Sequence, residues 1–431
     1  MAETTDFDVV IVGGGAVGAT LALELERLAY RVALIELRQP SFASSDPERV
    51  IALNYGSRCH LERLGVWQPL LDRGVARIKH IAVSEPGNRG CVDLDGGEAA
   101  IEDLGYVVEM GALLEPIYSR LQTSAVTLLS TASVQDFELQ PERALVRIRQ
   151  GSDLCEISAA LLVGADGTNS QIRRQAGIDI RGWDYNRFGL VASIRCERGH
   201  RDTAHECFRN SGPLALLPLA DDRFSIVWAA TPAEVTQLLG MDDAQFMSAL
   251  TRAAGPLTMD AIGAITGVSR RAAFPLELTI AASFARARLA LVGNAAHTVH
   301  PVAGQGMNLG LRDVIALADM LDSELARRDP GQSIVMQGYA EQRRADVLAV
   351  AGFTESMVHL FGSTLPGIKW LRGFGLEGLP RARGLSGLLL RQASGIGQMK
   401  NEPKTGQMPV RIGDGQSDAD VPQMQQVEVR G

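Results

Sequence analysis

FDVVIVGGGAVGATLALELERLAYRVALIE, residues 7 to 36, decides the fold. FDVVIV (7 to 12) is an apolar run of strand length, Ala16 to Ala29 carries apolar residues at helical spacing, and VALIE (32 to 36) is a second apolar run. Strand, glycine turn, helix and strand in that order predict a βαβ unit in a parallel sheet covered on both faces. Gly13, Gly15 and Gly18 spell G-x-G-x-x-G in the turn. The first glycine permits the tight turn, the second lets the backbone approach a pyrophosphate, and the third lets helix and strand pack closely. Gly14, Ala16 and Val17 belong to the same turn, whose N–H groups and helix dipole face the phosphates. Glu36 ends the second strand, where a carboxylate accepts hydrogen bonds from an adenosine ribose.

Gly373, Gly375 and Gly378 in RGFGLEGLPR repeat the pattern, but no β run precedes them and no strand ending in an acid follows. That match is chance, so one dinucleotide fold is expected, at the N-terminus. A chain of 431 residues exceeds one core, which predicts two domains or one large domain with an insertion. Mixed strand patterns such as LVRIR (145 to 149) and FSIVWAA (224 to 230) suggest a second sheet inserted into the first domain. The expected division is 1–80, 105–180 and 280–350 for the dinucleotide domain and 81–104 with 181–279 for a substrate domain. A helical region, 351–400, and a disordered tail, 401–431, rich in Gln, Pro, Asp and Gly, complete it.

No apolar run reaches the roughly 20 residues of a membrane span, and the start MAETTDFDVV moves directly into a strand without a basic leader. A cytoplasmic protein is expected. Five scattered cysteines without C-x-x-C spacing fit reduced, structural thiols. A net charge of −8 disfavours nucleic-acid binding. Charge is uneven, however: six basic residues against Glu377 between Lys369 and Lys400 suit either an anionic membrane surface, bound peripherally, or a partner protein. A solvated helical cover over the core explains them equally well.

A second glycine loop lies in LVGNAAHTVHPVAGQGMNLG, 291 to 310. His297 and His300 stand three apart as some metal ligands do, but the loop holds no third ligand and zinc catalysis normally uses three, so no metal is expected. Gly304, Gln305, Gly306 and Met307 lead into a helix beginning near Asn308, a donor cluster suited to stabilising negative charge.

With GADGTNSQIRR (164 to 174) added, the chain resembles the flavin-dependent aromatic hydroxylases of the p-hydroxybenzoate hydroxylase fold, from residue 7 to about residue 398. The resemblance implies an α/β fold: a Rossmann-like FAD-binding domain, an inserted mixed β-sheet substrate domain and a C-terminal helical segment. It implies FAD as cofactor and NAD(P)H as co-substrate. Asp166 and Gly167, with Ser170 and Arg173, would serve both, and residues 293 to 310, Asn294, Pro301 and Asn308 among them, would hold the ribityl chain, pyrophosphate and isoalloxazine edge. Arg49 would lie near the flavin and Val134 beside the adenine.

The blocks VVE (107 to 109), GPLALLPL (212 to 219), FPLEL (274 to 278) and GNAAHTVHPVAGQGMNLGLRD are similar to the hydroxylases of ubiquinone synthesis, and the GNAA form to the 2-polyprenyl-6-methoxyphenol hydroxylase branch. Asn294 stands where most relatives have Asp; it keeps an acceptor oxygen and loses a charge, at an expected cost to binding of about 1 kcal/mol, and the removal of that negative charge is expected to favour anionic reduced flavin. Met110, Gly111, Glu115 and Pro116 depart from the pattern, which puts one flavin contact in doubt.

What the resemblance implies is monooxygenation. NAD(P)H reduces FAD, O2 adds to give a C4a-hydroperoxyflavin, and its terminal oxygen attacks the ring of a polyprenylated phenol. Leu217, Pro218, Phe274 and Pro275 are the expected pocket wall, with plain sheet core as the alternative, and His300 is the candidate base for the phenol. Two other readings stay open: a flavin oxidase or dehydrogenase, and a non-catalytic flavoprotein scaffold among quinone-synthesis proteins. Self-association is compatible with each.

Overall fold

The computed structural model describes residues 6–43, 49–85, 91–95, 102–209, 211–301 and 304–362. The basic 369–400 stretch, the second glycine pattern and the 401–431 tail lie outside them. Among the described residues no helix is long and apolar enough to cross a membrane.

The strand Phe7–Val12 runs parallel between Val32–Glu36 on one side and the inner half of Asp153–Gly164 on the other. Thr127–Ser130 and Leu289–Leu291 extend this parallel sheet outward. Val9, Val10 and Ile11 are fully buried. Their unbroken apolar run follows from burial on both faces, by helices and by the strands Ala132–Leu139 and Ala144–Gln150 of the same core, which leaves no solvent side for polar alternation. Helix Ala16–Arg27 returns the chain between the first two strands, and helices Gln305–Leu321 and Ser333–Gly362 pack into the same core.

A second, mostly antiparallel sheet is the inserted layer. Its order begins with His297–Thr298, Ala272–Ala281, Ile180–Cys196 and Phe224–Ala230, and continues with Gly212–Pro218, Thr203–Arg209, His80–Ser84 and Cys91–Asp95. Helices Pro232–Gly240 and Asp243–Ile262 cover one face, each opened by a capping box, Thr231 with Glu234 and Asp242 with Gln245. These boxes satisfy N–H groups that a helix start leaves without partners. Along each strand the residues facing this helical layer, such as Cys207, Leu214, Leu216 and Trp228, are buried. A three-stranded sheet, Val50–Asn54, Gly105–Glu109 and Ala76–Ile78, bridges the two layers.

The structure departs from the expected division at two places. His297–Thr298, inside the 280–350 segment, pairs with Thr279 and Ile280 of the second sheet. Helix Ser333–Gly362 also passes residue 350 unbroken, because Val347, Val350, Ala351 and Thr354 continue one buried face.

Burial has a pH consequence. His60, His205 and His300 are each pushed by desolvation from the ordinary 6.5 down to about 4. The folded state therefore holds each ring neutral while the unfolded chain protonates it. That contribution to stability is complete above pH 6.5 and is lost as pH falls from 6.5 toward 4. His205→Leu is expected to flatten the stability profile in that window by up to about 1.4 kcal/mol per pH unit, read by urea unfolding at pH 7.5, 6.5, 5.5 and 4.5. Parallel profiles for both proteins would contradict the placement.

Candidate functional site

The first glycine turn is held from both sides. Gly13 has φ +109°, and a Cβ there would collide with the Ala165 carbonyl oxygen; one at Gly18 would strike the Gly13 carbonyl oxygen. Both are glycines for the protein's own packing. Gly14 donates its N–H to Glu36 Oε2 at 2.6 Å, and the Tyr118 hydroxyl donates to the Gly14 carbonyl at 2.7 Å. Glu36 thus braces the turn. Gly15 differs: a Cβ there would meet nothing within 4 Å. The protein does not need this glycine for its own contacts, whereas a pyrophosphate approaching the N-terminus of helix Ala16–Arg27 does.

The second loop reaches the same place. Val17 of the opening helix sits in a notch made by Gly293 and Gly310, where a Cβ on Gly310 would stand 2.7 Å from Val17 Cγ2. Gly304 caps helix Gln305–Leu321 at φ +61°, and a Cβ there would collide with Ala52. Asn308 stitches the turn down: its Oδ1 accepts from the Asn54 N–H at 2.9 Å and the Ser57 hydroxyl at 2.7 Å, and its Nδ2 donates to the Ala52 and Gly304 carbonyls. Gln305 is buried, Met307 and Pro301 half-buried. A Cβ on Gly306, like one on Gly15, would meet nothing within 4 Å.

Between the loops lies the GADGT segment. Asp166 Oδ2 accepts from the N–H groups of Gln171 and Ile172, and Ser170 caps the same short helix through the Arg173 N–H. Asp166 Oδ1 is buried without a hydrogen-bond partner, and Gly167, at φ +83°, faces open space. Arg173 ties this segment to the second loop, donating to the Thr168 and Ala295 carbonyls at 2.9 Å each. Asn294 is exposed and donates from Nδ2 to Thr168 Oγ1 at 3.3 Å, so its carbonyl oxygen can serve a ligand. Val134 is buried and its backbone carbonyl accepts from Gln171 Nε2. Arg49 is exposed at the far rim, its carbonyl bonded to the Met110 N–H.

Asp313, in the GLRD end of the loop, is the residue that sequence reading passed over. Fully buried, it accepts at Oδ2 from the Gly293 N–H and His297 Nε2, both at 2.7 Å, and at Oδ1 from Arg343 Nε at 2.6 Å. Burial alone would raise its carboxyl; His297, Arg343 and the hydrogen bonds outweigh that and hold it below the ordinary value. His297 is thereby a structural donor, and its Nε2 is occupied. The Met110 to Pro116 departure also has packing reasons: Gly111 lies against the Phe42 carbonyl, and Glu115 makes a two-pronged pair with Arg73 at 2.8 Å.

The four expected wall residues divide. Consecutive strand residues point to opposite faces, and the sheet register places Leu217 and Phe274 on the face away from the covering helices, with Pro218 and Pro275 on the helix side. Phe274 lies across Gly189 and is 40% exposed. His300 is buried, its ring edge-on to Tyr185 at 5.0 Å, and the Tyr185 hydroxyl donates to Glu355 of the long helix.

The open positions fit FAD: two glycine N-termini facing free space, a carboxylate at the end of the second strand, and an orphaned Asp166 oxygen. Gly15→Val is expected to fold with a thermal midpoint near the wild-type apoprotein and to lose FAD, read by flavin content and a melting curve. Gly310→Val, wedged against Val17, is expected instead to lower stability by about 1–3 kcal/mol. Stoichiometric FAD on Gly15→Val would contradict the site.

Comparison with known proteins agrees. The FAD binding domain family matches residues 6–354. The ubiquinone hydroxylase UbiL of Rhodospirillum rubrum is 35% identical over 92% of this chain and 91% of its own length, and the 3-demethoxyubiquinol 3-hydroxylase of Escherichia coli 34% identical over 90% and 97%. The human mitochondrial ubiquinone biosynthesis monooxygenase COQ6 is 29% identical over 86% of this chain and 89% of its own. Among solved structures, p-nitrophenol 4-monooxygenase PnpA of Pseudomonas putida superposes with a TM-score of 0.73 at 18% identity, covering 90% of this chain and 98% of that one, which establishes the shared fold. With a family match over most of its length and relatives above 30% identity along nearly all of it, the chain belongs to the FAD binding domain family, among the relatives of the ubiquinone hydroxylases.

Proposed function

We propose that this protein is an FAD-dependent monooxygenase that hydroxylates the aromatic ring of a polyprenylated phenol in ubiquinone biosynthesis, consuming NAD(P)H and O2. The observation that carries the proposal is the convergence of Gly15 and Gly306, 291 residues apart in sequence, at helix starts that lie on either side of the Val17 notch and face free space. Its support from relatives is that those matching along nearly all of the chain are named as hydroxylases of ubiquinone synthesis.

Bound FAD supplies the hard step, accepting hydride from NAD(P)H and activating O2. The protein supplies position and environment. The helix start at Gly15 and Ala16 presents N–H groups to the pyrophosphate, the Gly13 and Gly14 N–H groups being bonded to the Ile35 carbonyl and Glu36, and Glu36 has lone pairs left for the ribose. Val134 and Arg49 are the proposed neighbours of the adenine and flavin. Asp166 Oδ1 and Asn294 Oδ1 offer acceptors to cofactor hydroxyls. The N–H groups of Gly306 and Met307, at the start of a 17-residue helix, stabilise negative charge on the reduced ring, while the Gly304 N–H closes the turn on the Pro301 carbonyl. Leu217 and Phe274 face the substrate side of the second sheet, where apolar walls exclude the water that would divert oxygen to peroxide.

Neither alternative gains an observation. The relatives named above are hydroxylases and a monooxygenase, and the altered 110–116 stretch, which suited an idle scaffold, is accounted for by the Phe42 and Arg73 contacts. The purified holoprotein is expected to consume NAD(P)H and O2 faster when a short-chain 2-prenyl-6-methoxyphenol is added, with a hydroxylated product detected by mass spectrometry. Unchanged NAD(P)H consumption with the phenol present would sink the proposal; substrate oxidation without NAD(P)H would convert it to an oxidase.

A further inference from the structure

The second sheet carries one carboxyl where its pattern calls for an apolar residue. Reading across the strands by hydrogen-bonded register, Val83, Glu206, Ala215, Val227, Val191 and Ala272 form one row on the face away from the covering helices. All six are half-buried, whereas the residues behind them, Cys207, Leu214, Trp228 and Leu190, are buried. The row is therefore only partly covered by the protein's own packing. Helix Asp243–Ile262 packs against strand Thr203–Arg209 from the covered side, and helix Ser333–Gly362 approaches that strand and its neighbour Gly212–Pro218 from the other. That long helix also holds Glu355, which accepts from Tyr185, the ring in contact with His300 of the flavin loop. One helix thus joins the flavin loop to the row that contains Glu206.

Among the described residues no hydrogen bond or ion pair engages the Glu206 carboxylate. Charged groups on the neighbouring elements are engaged: Glu355 with Tyr185 and, at 3.6 Å, His359; His80 with Asp93 at 3.7 Å; and Arg209, on the covered face over the Trp228 ring, with Glu234 at 3.9 Å. His205 and Cys207, the strand neighbours, point to the opposite face. Enclosure by protein, with no compensating charge, raises the Glu206 carboxyl to about 7, while the side chain keeps contactable surface. An enclosed acid with free surface, alone in an apolar row, is built for a ligand that has one polar hydrogen and an apolar remainder.

We propose that Glu206 is a catalytic residue of this site, the group that receives the hydroxyl proton of the phenol while the apolar row holds the rest of the substrate. The inference rests on the monooxygenase reading above. The phenolic O–H bond breaks, its proton passes to a Glu206 carboxylate oxygen, and the electron pair stays on the phenolic oxygen, from which it feeds the ring carbon that takes up one atom of O2; the O–O bond breaks, and the other atom leaves as water with two electrons from NAD(P)H. As the ring regains aromaticity its C–H proton leaves to water and Glu206 returns its proton to the phenolic oxygen, ending as the carboxylate it began. Glu206 suits this role better than His300, because an acceptor works best when its pKa lies near the working pH, and the imidazole, at about 4, is too weak a base at neutral pH.

The test is Glu206→Gln in the FAD-loaded protein, with NAD(P)H and a short-chain 2-prenyl-6-methoxyphenol. Flavin content, flavin spectrum and phenol affinity should stay within about 3-fold of wild type while kcat falls about 100-fold or more, the range for a lost general base. The rise of wild-type kcat with pH near neutrality should vanish, and a ring-fluorinated, more acidic phenol should recover most of the rate. Wild-type kcat and pH profile in Glu206→Gln, or an acidic phenol no better than the parent, would overturn the proposal. Should Glu206→Gln lack FAD, Glu206→Asp decides: it keeps a carboxyl and should retain a pH-dependent kcat, and a pH-independent kcat there would overturn the assignment. Wild-type protein that never hydroxylates the phenol refutes the monooxygenase reading itself, a failure distinct from Glu206→Gln behaving as wild type.

Discussion

Everything at the centre of this molecule is tied to one buried carboxylate. Asp313 takes three donors, the Gly293 N–H, His297 and Arg343, and those donors come from the flavin loop and the long helix. An ionised group without partners in such a place would be prohibitive, and removing one member of a buried pair typically costs about 3–5 kcal/mol because the other stays charged and unpaired. The turn at 293 to 297 is therefore fixed in one geometry. Because Gly293 also forms half of the notch that receives Val17, this carboxylate determines where the second glycine loop sits relative to the first.

Much of this was legible in the sequence, for physical reasons that differ by residue. The opening βαβ unit was readable because turn, strand and helix each leave a local mark: three glycines, two apolar runs and a helical period within thirty residues. Gly15 and Gly306 stood out in the sequence by their glycine patterns, and the structure leaves the space beside both open. Asp313 was not, since an acid in a helix looks like a solvated one until its distant partners, thirty residues on at Arg343, are known. The second sheet was half readable: GPLALLPL and FPLEL announced strands, but which of two consecutive residues turns away from the covering helices depends on register, which sequence leaves open. Glu206 escaped for the same reason. Its neighbours His205 and Cys207 are polar too, and only the pairing with Ala215 and Val83 shows that it alone turns toward the open face.

The division of labour fits a fold in which the cofactor carries the reactivity. The parallel sheet and its two helix starts offer donors to phosphate and reduced flavin. The antiparallel sheet offers an apolar floor with a single proton acceptor. His297–Thr298, belonging to the flavin loop yet paired with the second sheet, couples the two layers directly, so that cofactor and substrate surfaces are held in register by backbone hydrogen bonds. His300, buried and neutral, and Tyr185 beside it complete that coupling through Glu355 on the long helix.

The central claim is that two glycine loops nearly 300 residues apart form one FAD site. A crystal structure of the FAD-loaded protein tests it most directly. The account predicts the pyrophosphate on the N–H groups at the helix start of Gly15 and Ala16 and the pyrimidine edge of the isoalloxazine at the helix start of Gly306 and Met307, with Asn294 beside the ribityl chain. FAD that touches only one of the two loops, or that lies away from Gly15, would contradict it.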